Sequence, residues 1–341
     1  GAVLYGKNIH EHYYPASITK ILTALIVVEN CNLDDVVTFS KNAVYNVEAG
    51  SSSAGLDVGD TLTVRDCLYA MLLQSANEAA NALAEHTAGS IEEFANMMNQ
   101  KASNLGCTDS HFVNPSGLNS PEHYTSAYDY ALISRAAFMN PIVTEIDSAT
   151  YYNLPPSKRV PTGQTIYNHH SMLRKTSGNY YQNAICGKTG YTTLAGNTLV
   201  TYARNDQIGL ITVVLNGNKT HYTDTQELLN FGFANFKNIK LKINFLLKDK
   251  EIENLIKENK AEYVVHIEAT STYFRELIST REAEINYDLK DNDILGRLQM
   301  SFFILAKEDI LDYKNSNFNE DYSGESFNLK KGNIIAIADS Y

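Results

Sequence analysis

The sequence predicts an α+β fold, an antiparallel sheet with helices packed on it, followed by a smaller β-rich domain. Three observations predict it. Helical patterns are grouped between residues 17 and 139, strand-like patterns separated by turn residues begin at Thr150, and a helical pattern closes this part of the chain at 222–236. At 341 residues the chain exceeds one typical core, so we expect two domains, 1–238 and 239–341.

The first element is a short strand at 2–5. It reads as the second half of a strand already under way, so we expect that a segment of the protein precedes it. A helix at 17–29 then follows Pro15 and is apolar on nearly every face, which is typical of a buried central helix. Two further helical patterns, 63–74 and 78–86, meet at a short joint. These segments predict a helical layer around one central helix.

Capping signals predict two more helices. Ser90 and Glu93 form the pattern of a capping box, and Gly106 marks the end of the helix that follows. Thr125 is predicted to cap a helix that reaches about Met139.

The later part of the chain reads mainly as strands. Before residue 238 they are predicted at 150–154, 184–187, 197–203 and 208–215. Beyond it, a highly charged, helix-like stretch at 252–260 is followed by alternating segments at 263–268, 283–287, 298–305 and 333–337. These last segments predict the β-rich second domain, whose size is typical of an independent unit.

Composition excludes several classes of function. The formal net charge is −11 and no run of Lys and Arg forms a basic stripe, so no nucleic-acid partner is expected. No window reaches 18 consecutive apolar residues, so this chain contains no predicted membrane span. The four cysteines, Cys31, Cys67, Cys107 and Cys186, have no zinc-like spacing. Neither a metal nor another cofactor is therefore expected.

The first motif with chemical content is Ser17-Ile-Thr-Lys20 at the start of the central helix. Residues three apart share a helix face, so the Lys20 amine can approach the Ser17 hydroxyl. A serine needs a base to become a nucleophile, and a lysine serves when burial or a second cation lowers its pKa. Taken alone, the pattern is common, and a capping serine followed by a surface lysine is the simpler interpretation.

Two further motifs change that interpretation. Ser75-Ala-Asn77 lies at the joint between two helices, and Lys188-Thr189-Gly190 lies where a strand is about to begin. Each alone could be an ordinary helix junction or turn. Together, and in this order, the three motifs form the signature of β-lactamases and penicillin-binding proteins.

Beyond the motifs, the chain resembles the low-molecular-mass penicillin-binding proteins of the D-alanyl-D-alanine carboxypeptidase family. The resemblance is close over about 3–236 and loose afterwards, chiefly at 329–332. It implies the penicillin-binding/β-lactamase-like transpeptidase domain, with helices on both faces of the sheet. The segments that carry the resemblance are 15–21, 58–60, 74–79, 112–118 and 187–190.

The resemblance also implies roles for four catalytic residues. Ser17 forms the acyl-enzyme and Lys20 is the general base that activates it. Ser75 relays the proton to the leaving D-alanine, and Asn77 holds the substrate amide.

Substrate binding is implied for the third motif and its neighbour. Lys188 and Thr189 receive the terminal carboxylate, and Gly190 and Tyr191 are the other substrate-binding residues. Lys188 also helps to keep Lys20 neutral by repulsion between like charges. The backbone N–H groups of Ser17 and Tyr191 form the expected oxyanion hole.

The implied partners are peptidoglycan stem peptides ending in D-Ala-D-Ala, and β-lactam antibiotics as inhibitors that acylate Ser17. The implied location is extracytoplasmic, facing the cell wall, with any signal peptide and membrane anchor outside this chain. Whether the acyl group passes only to water or also to an amine, as in transpeptidation, stays open.

The main alternative is a class A-like β-lactamase, which shares the three motifs. Such enzymes need a further Glu that acts through a water, and around 114–124 Glu122 is the only glutamate and lacks the expected neighbours. A non-enzymatic module on the same fold would have lost Ser17, Lys20 or Lys188, and all are present.

A zinc enzyme is the remaining alternative. The histidines occur as the adjacent pair His169 and His170 and as His10 and His12, and neither pair has the helical spacing of a metalloprotease site. The family resemblance implies that 168–173 flanks the cleft without a catalytic group, so His169 and His170 are expected to be packing or rim residues.

Overall fold

The computed structural model describes residues 2–206 and 208–236, together with strand segments at 238–239, 262–268, 299–305 and 333–339. The chain divides into two compact units. The larger consists of Val3–Gly232 and Glu320–Asp339. In the smaller, three strand segments form a sheet in the order 262–268, 299–305, 238–239. The predicted division near residue 238 stays a prediction, although strand 333–339, which we expected in the second domain, belongs to the larger unit.

Eight helices occur among the described residues. They are α1 (Lys20–Asn30), α2 (Lys41–Tyr45), α3 (Val64–Leu73), α4 (Asn77–Ala88), α5 (Ile91–Asn104), α6 (Ala127–Met139), α7 (Pro141–Ser148) and α8 (His221–Asn235). Two short 3₁₀ turns, Ala16–Thr19 and Ser171–Leu173, accompany them.

Twelve strands occur in the same part of the chain. They are β1 (Ala2–Lys7), β2 (Val36–Thr38), β3 (Thr61–Thr63), β4 (Tyr151–Leu154), β5 (Gln164–Tyr167), β6 (Ala184–Thr192), β7 (Gly196–Arg204), β8 (Gly209–Gly217), β9 (Asn238–Ile239), β10 (Glu262–Glu268), β11 (Gln299–Leu305) and β12 (Asn333–Asp339). The main sheet has the order β1-β12-β8-β7-β6, and β12, β8, β7 and β6 pair antiparallel. Two hairpins, β2-β3 and β4-β5, stand apart from it.

The main sheet is covered by helices on both faces. Along β8, Ile211, Val213 and Leu215 are buried in the same apolar core as α1, α3 and α4. Leu210 points to the other face, where its side chain reaches Gly232 of α8. Because side chains alternate along a strand, this pattern places helices on each side of the sheet. The predicted α+β class, an antiparallel sheet with helices packed on both faces, is confirmed.

The predicted central helix is divided into the 3₁₀ turn Ala16–Thr19 and α1, and every residue from Lys20 to Val27 is buried. This burial follows from the apolar side chains on all its faces. The turn matters for the site, because it places residue 17 before the first regular helical turn.

The capping predictions are nearly right. The Ser90 side chain accepts the Glu93 N–H at the start of α5, as predicted. Both bonds of a capping box occur at Thr63 and Asp66 instead, before α3. The cap of α6 is Ser126, not Thr125, because it is the Ser126 hydroxyl that accepts the Asp129 N–H.

Several short elements were not predicted: α2, α7, the β2-β3 hairpin and strand β5. The strand predicted at 184–187 is longer, and β6 continues to Thr192. The segments predicted at 252–260 and 283–287 lie outside the described residues. In the part of the chain that the structure describes, no helix is long and apolar enough to span a bilayer.

Candidate active site

Ser17 lies on a turn that is held against strand β7. The turn follows Pro15, whose carbonyl accepts the Thr198 hydroxyl of β7 at 2.8 Å. Ala16 has a φ of +53°, in the left-handed region that a non-glycine residue enters at a cost. Ser17 is partly exposed, whereas Ala16 and Ile18 on either side are buried. The turn therefore presents one hydroxyl to solvent from an otherwise buried segment.

The Lys20 amine, which is fully buried, lies at the centre of the site. Its Nζ lies 3.0 Å from the Ser17 Oγ, 2.7 Å from the Asn77 Oδ1 and 2.6 Å from the Ser116 carbonyl oxygen. Amide and carbonyl oxygens can only accept, but a hydroxyl can also donate. A neutral amine has two N–H groups and one lone pair, so it can donate to Asn77 and Ser116 while the Ser17 hydroxyl donates to it.

The charge of Lys20 is set by its surroundings. Burial and the nearby positive charge of Lys188 hold the pKa of Lys20 well below its ordinary value, and Glu78 opposes them. Both effects that lower the pKa favour the neutral amine. The geometry and the electrostatics therefore agree on a lysine that can accept a proton from Ser17.

The Ser116 carbonyl is a partner of Lys20 that the sequence motifs did not identify. Asn114 holds the loop, because its Oδ1 accepts the N–H groups of Ser116 at 3.2 Å and Gly117 at 2.8 Å. Gly117 has a φ of +85°, and a Cβ there would lie 1.9 Å from the Ala16 carbonyl oxygen. Only glycine fits this close approach. The segment 112–118 carried the family resemblance, and this loop geometry gives that segment a structural reason.

The Ser75-Ala-Asn77 joint faces the same amine. Ser75 is buried with a φ of +62°, and its Oγ has no hydrogen-bond partner among the described residues. Asn77 is the first residue of α4, and its backbone N–H donates to the Ser52 carbonyl at 3.0 Å. A buried residue with a positive φ and an unpartnered hydroxyl, two positions before the Asn77 that bonds to Lys20, is typical of a functional position.

Glu78, next along α4, was also missed. Its Oε1 accepts the Ser53 hydroxyl and the Ala54 N–H, both at 2.7 Å. It thereby holds the loop before Leu56 against the start of α4. It is the negative charge that opposes the lowering of the Lys20 pKa. The sequence contained a signal for it. Glu78 directly follows the joint at 75–77, and a carboxylate that is buried there needs hydrogen-bond partners.

Strand β6 forms the opposite wall. The prediction placed Lys188-Thr189-Gly190 in front of a strand, but these residues lie within β6, whose alternation is hidden by two glycines. Lys188 is buried and its Nζ donates to the Thr189 carbonyl at 2.9 Å. Tyr191 is 65% exposed at the rim. Because β6 pairs only with β7 among the described strands, it is an edge strand.

Gly190 joins the two walls. A Cβ on this residue would lie 2.3 Å from the Thr198 Oγ1 and 2.8 Å from the Ser17 backbone nitrogen. This close approach brings the backbone of β6 beside the N–H of Ser17, where the predicted oxyanion hole lies. The structure therefore brings groups from all three motifs together: Lys20 contacts Ser17 and Asn77, and Gly190 approaches the Ser17 nitrogen.

Lys188 differs from Lys20 in its charged neighbour. Burial lowers the pKa of Lys188 to about 8, and the carboxylate of Asp147 opposes this. Asp147 lies on α7, an element that the sequence did not predict, and it was not among the predicted site residues.

The histidine pairs weighed for a zinc site have other partners. His170 is buried, its Nε2 lies 2.9 Å from the Thr201 Oγ1, and burial lowers its pKa to about 3. His10 pairs with Asp109 at 2.9 Å, and His12 stacks on Tyr124. Within the described ranges, no group of three or more His, Cys, Asp or Glu could hold a metal ion. Glu122, the glutamate weighed for a β-lactamase, is exposed.

The fold and this site together place the chain among the serine hydrolases of the penicillin-binding class. A sequence model of one family, described as D-alanyl-D-alanine carboxypeptidase, matches residues 1–219, a range that includes every residue of the site. The chain belongs to this D-alanyl-D-alanine carboxypeptidase family, and the resemblance stated from the motifs is confirmed.

Relatives and solved structures agree. The D-alanyl-D-alanine carboxypeptidase DacF of Bacillus subtilis is 32% identical over 246 residues, 70% of this chain but only 60% of the relative. DacB2 of Mycobacterium tuberculosis is 33% identical over 244 residues, 69% of this chain and 79% of the relative. The Streptomyces K15 DD-transpeptidase structure aligns with a TM-score of 0.62 and 31% identity, covering 68% of this chain and 92% of that one.

Proposed function

We propose that this protein is a serine-type D-alanyl-D-alanine carboxypeptidase that removes the terminal D-alanine of peptidoglycan stem peptides. One observation supports this above all: the buried Lys20 amine lies 3.0 Å from the Ser17 Oγ, with its two other partners restricted to accepting. This is the arrangement that a neutral general base for a serine nucleophile requires.

In the proposed acylation step, the Ser17 Oγ attacks the carbonyl carbon of the penultimate D-alanine while its proton passes to the Lys20 Nζ. The new C–O bond gives a tetrahedral oxyanion, which the backbone N–H groups of Ser17 and Tyr191 receive. Collapse breaks the C–N bond, and Ser75 passes the proton from Lys20 to the leaving amine. The products are free D-alanine and an ester on Ser17.

In the proposed deacylation step, water attacks the ester carbonyl and gives its proton to Lys20. The C–O bond to Ser17 breaks, Ser17 recovers its proton, and the shortened peptide leaves. We assign the substrate amide to Asn77, and two contacts that hold this side chain and its backbone support the assignment: its Oδ1 accepts from Lys20 and its N–H donates to the Ser52 carbonyl.

Recognition of the terminal carboxylate falls to β6. Lys188 supplies a positive charge and Thr189 a hydroxyl, a pair suited to a carboxylate. The free edge of β6 can pair with an extended peptide in the manner of an added strand. β-Lactams, which carry a carboxylate near a reactive amide, would occupy the same position and acylate Ser17.

The β-lactamase alternative gains no support from the geometry. It needs a glutamate that activates water for rapid deacylation, and the exposed side chain of Glu122 does not meet that need. The family acts on the cell wall, so we further propose an extracytoplasmic location, with any membrane anchor outside this chain.

The test is release of D-alanine from a peptide ending in D-Ala-D-Ala, measured beside labelling by a fluorescent penicillin. We expect the wild type to release D-alanine and to carry the label, and Ser17→Ala to do neither. Ser120→Ala, a change at a partly exposed surface serine, is the matched control and should behave as the wild type.

Two results would contradict the proposal. Absence of both D-alanine release and Ser17-dependent label from the wild type would remove the carboxypeptidase. Rapid turnover of penicillin without peptide cleavage would favour the β-lactamase instead.

A further inference from the structure

The proposed chemistry does not use His123, although this buried histidine contacts the turn that carries Ser17. Its Nδ1 lies 3.1 Å from the Val113 backbone nitrogen, and its Nε2 lies 3.0 Å from the Thr19 Oγ1. A backbone N–H can only donate, so Nδ1 accepts, and the proton of the neutral ring is on Nε2, which donates to the Thr19 hydroxyl. Burial lowers the pKa of His123 to about 3, which keeps the ring in this neutral form.

These two hydrogen bonds join the loop that supplies the Ser116 carbonyl to the turn before α1. We call residues 112–123 the Ser116 loop. The backbones of His111 and Tyr124, on either side of it, pair with each other at 2.9 Å and close the loop. The imidazole reaches from the last residue of this loop to its beginning, and also to Thr19, which lies between the nucleophile and its base.

Thr23 makes a second link to the Ser116 loop. Its hydroxyl donates to the Pro115 carbonyl oxygen at 2.7 Å. Thr19 and Thr23 are four residues apart, so they share one face of the helix. Apart from the catalytic lysine, Thr23 is the only polar residue of the buried run Lys20–Val27. A buried hydroxyl costs stability unless it is hydrogen-bonded, and the bond that this hydroxyl makes leads to the loop.

We propose that Thr19, Thr23 and His123 are positioning residues that hold the Ser116 carbonyl against the Lys20 amine. We call these three residues the loop clamp. All three are buried, so they act through the loop and not by contact with the substrate. The inference rests on the proposed function, because it concerns the base of the proposed acylation step.

The Ser116 carbonyl has to be held because it orients the base. The Lys20 Nζ lies 2.6 Å from this oxygen and 2.7 Å from the Asn77 Oδ1. When both N–H groups of the neutral amine are directed at these acceptors, its lone pair is left for the Ser17 hydroxyl. The Asn114 side chain holds the loop from within, whereas the loop clamp joins it to the helix. A displaced carbonyl would let the amine turn away, and a misplacement of about 1 Å can slow catalysis by roughly 100-fold.

The test compares Thr19→Val and His123→Asn, alone and combined, in the full chain. Valine has the shape of threonine without its hydroxyl. Asparagine can still accept the Val113 N–H, but it is too short to reach Thr19. Stopped-flow with a chromogenic β-lactam separates the rate constant of acylation from the dissociation constant of the complex that precedes it.

Each single variant should acylate Ser17 roughly tenfold more slowly than the wild type, and the dissociation constant should stay within about twofold. The double variant should be no slower than the slower single variant, because both changes remove the same hydrogen bond.

Controls separate positioning from a merely structural role. Thr19→Ser keeps the hydroxyl and loses a buried methyl group, so it should unfold at a lower temperature but acylate within about twofold of the wild type. Thr212→Val removes a buried hydroxyl that donates to the Thr201 carbonyl at 3.4 Å on β8, which β7 separates from β6, and it should leave acylation unchanged. Should a change at the His123 bond prevent folding, Thr23→Val removes the other link and should slow acylation to a similar extent.

Acylation at the wild-type rate by a folded valine variant of the loop clamp would overturn the inference. So would a Thr19→Ser variant as slow as Thr19→Val, a loss carried by the dissociation constant, or a double variant whose loss is the product of the two single losses. Failure of the proposed function looks different, because the wild type itself would then neither form an acyl-enzyme nor release D-alanine from a peptide ending in D-Ala-D-Ala.

Discussion

Two buried lysines belong to this site, and their surroundings differ. On the helical side, Lys20 has three oxygen partners, none of them charged, and a cation nearby. On the sheet side, Lys188 has one carbonyl partner and a carboxylate behind it. Both are desolvated, so burial alone cannot separate their roles. The charge of the neighbouring group separates them. The cation near Lys20 favours its neutral amine, and the anion near Lys188 favours its charged form.

The largest expected effect comes from Lys20→Ala. We expect the rate of acylation of Ser17 to fall by roughly 10³-fold, because the nucleophile loses its general base. The loss should be the same for ligands with and without a carboxylate, measured by stopped-flow with a chromogenic β-lactam and its ester. Lys101→Ala is the control, since Lys101 lies on α5, outside the three motifs, and pairs with Glu29. A loss confined to carboxylate ligands would erase the distinction between the two lysines.

Lys188→Ala should have a smaller effect than Lys20→Ala, and the effect should depend on the carboxylate of the ligand. We expect binding of a ligand with a free carboxylate to weaken by about 10- to 100-fold, as for the loss of a charge-assisted hydrogen bond. An amidated ligand should be nearly unaffected. If the substitution raises KM by the same factor for both ligands, Lys188 does not have the role of binding the carboxylate.

Gly190→Ala tests the contact that joins the two sides. The added methyl group would lie 2.8 Å from the Ser17 nitrogen, so β6 has to move away from the nucleophile. We expect acylation to slow by roughly tenfold or more through the oxyanion hole. The measurements are the temperature of thermal unfolding and the rate of acylation of the same variant. A variant that acylates at the wild-type rate would show that the close approach of Gly190 to Ser17 is not needed.

The pH dependence should show both lysines at once. Acylation by a carboxylate ligand should rise with pH as Lys20 loses its proton, at a pH below the ordinary lysine value because its pKa is lowered. It should fall again near pH 8, where Lys188 loses the charge that holds the carboxylate. An amidated ligand should lack the alkaline fall. An alkaline fall of equal size for both ligands would indicate a different group.

Glu78→Gln gives the smallest expected effect. The amide oxygen can still accept the Ser53 and Ala54 bonds, but the negative charge that raises the pKa of Lys20 is gone. The acid limb of acylation should therefore move to lower pH, with the alkaline limb unchanged. A move to higher pH would contradict the sign given to Glu78.

The chemical groups of the site could be predicted because motifs encode them. The pattern Ser17-x-x-Lys20 gains meaning from Ser75, Asn77 and Lys188, and a helix fixes the spacing of the first pair. The long apolar helix and the alternating strands likewise carry their period in the sequence.

What could not be predicted depends on tertiary contacts. The Ser116 carbonyl is a backbone group, and no residue type marks it. Asp147 lies on α7, a two-turn helix that follows directly on α6, and its charge acts on Lys188 only because the fold brings the two elements close. The extension of β6 through Gly187 and Gly190 was missed because glycines hide the alternation of a strand.

Ala16, which precedes Ser17, and Ser75, in the second motif, hold a backbone conformation that their side chains disfavour. Each such residue costs on the order of 1 kcal/mol or more. These two conformations therefore lower the free energy of unfolding, and the packing of the surrounding core has to hold both turns in place. Selection of this protein for survival at high temperature should relax one of these two turns first, and the surviving variants should be slower enzymes.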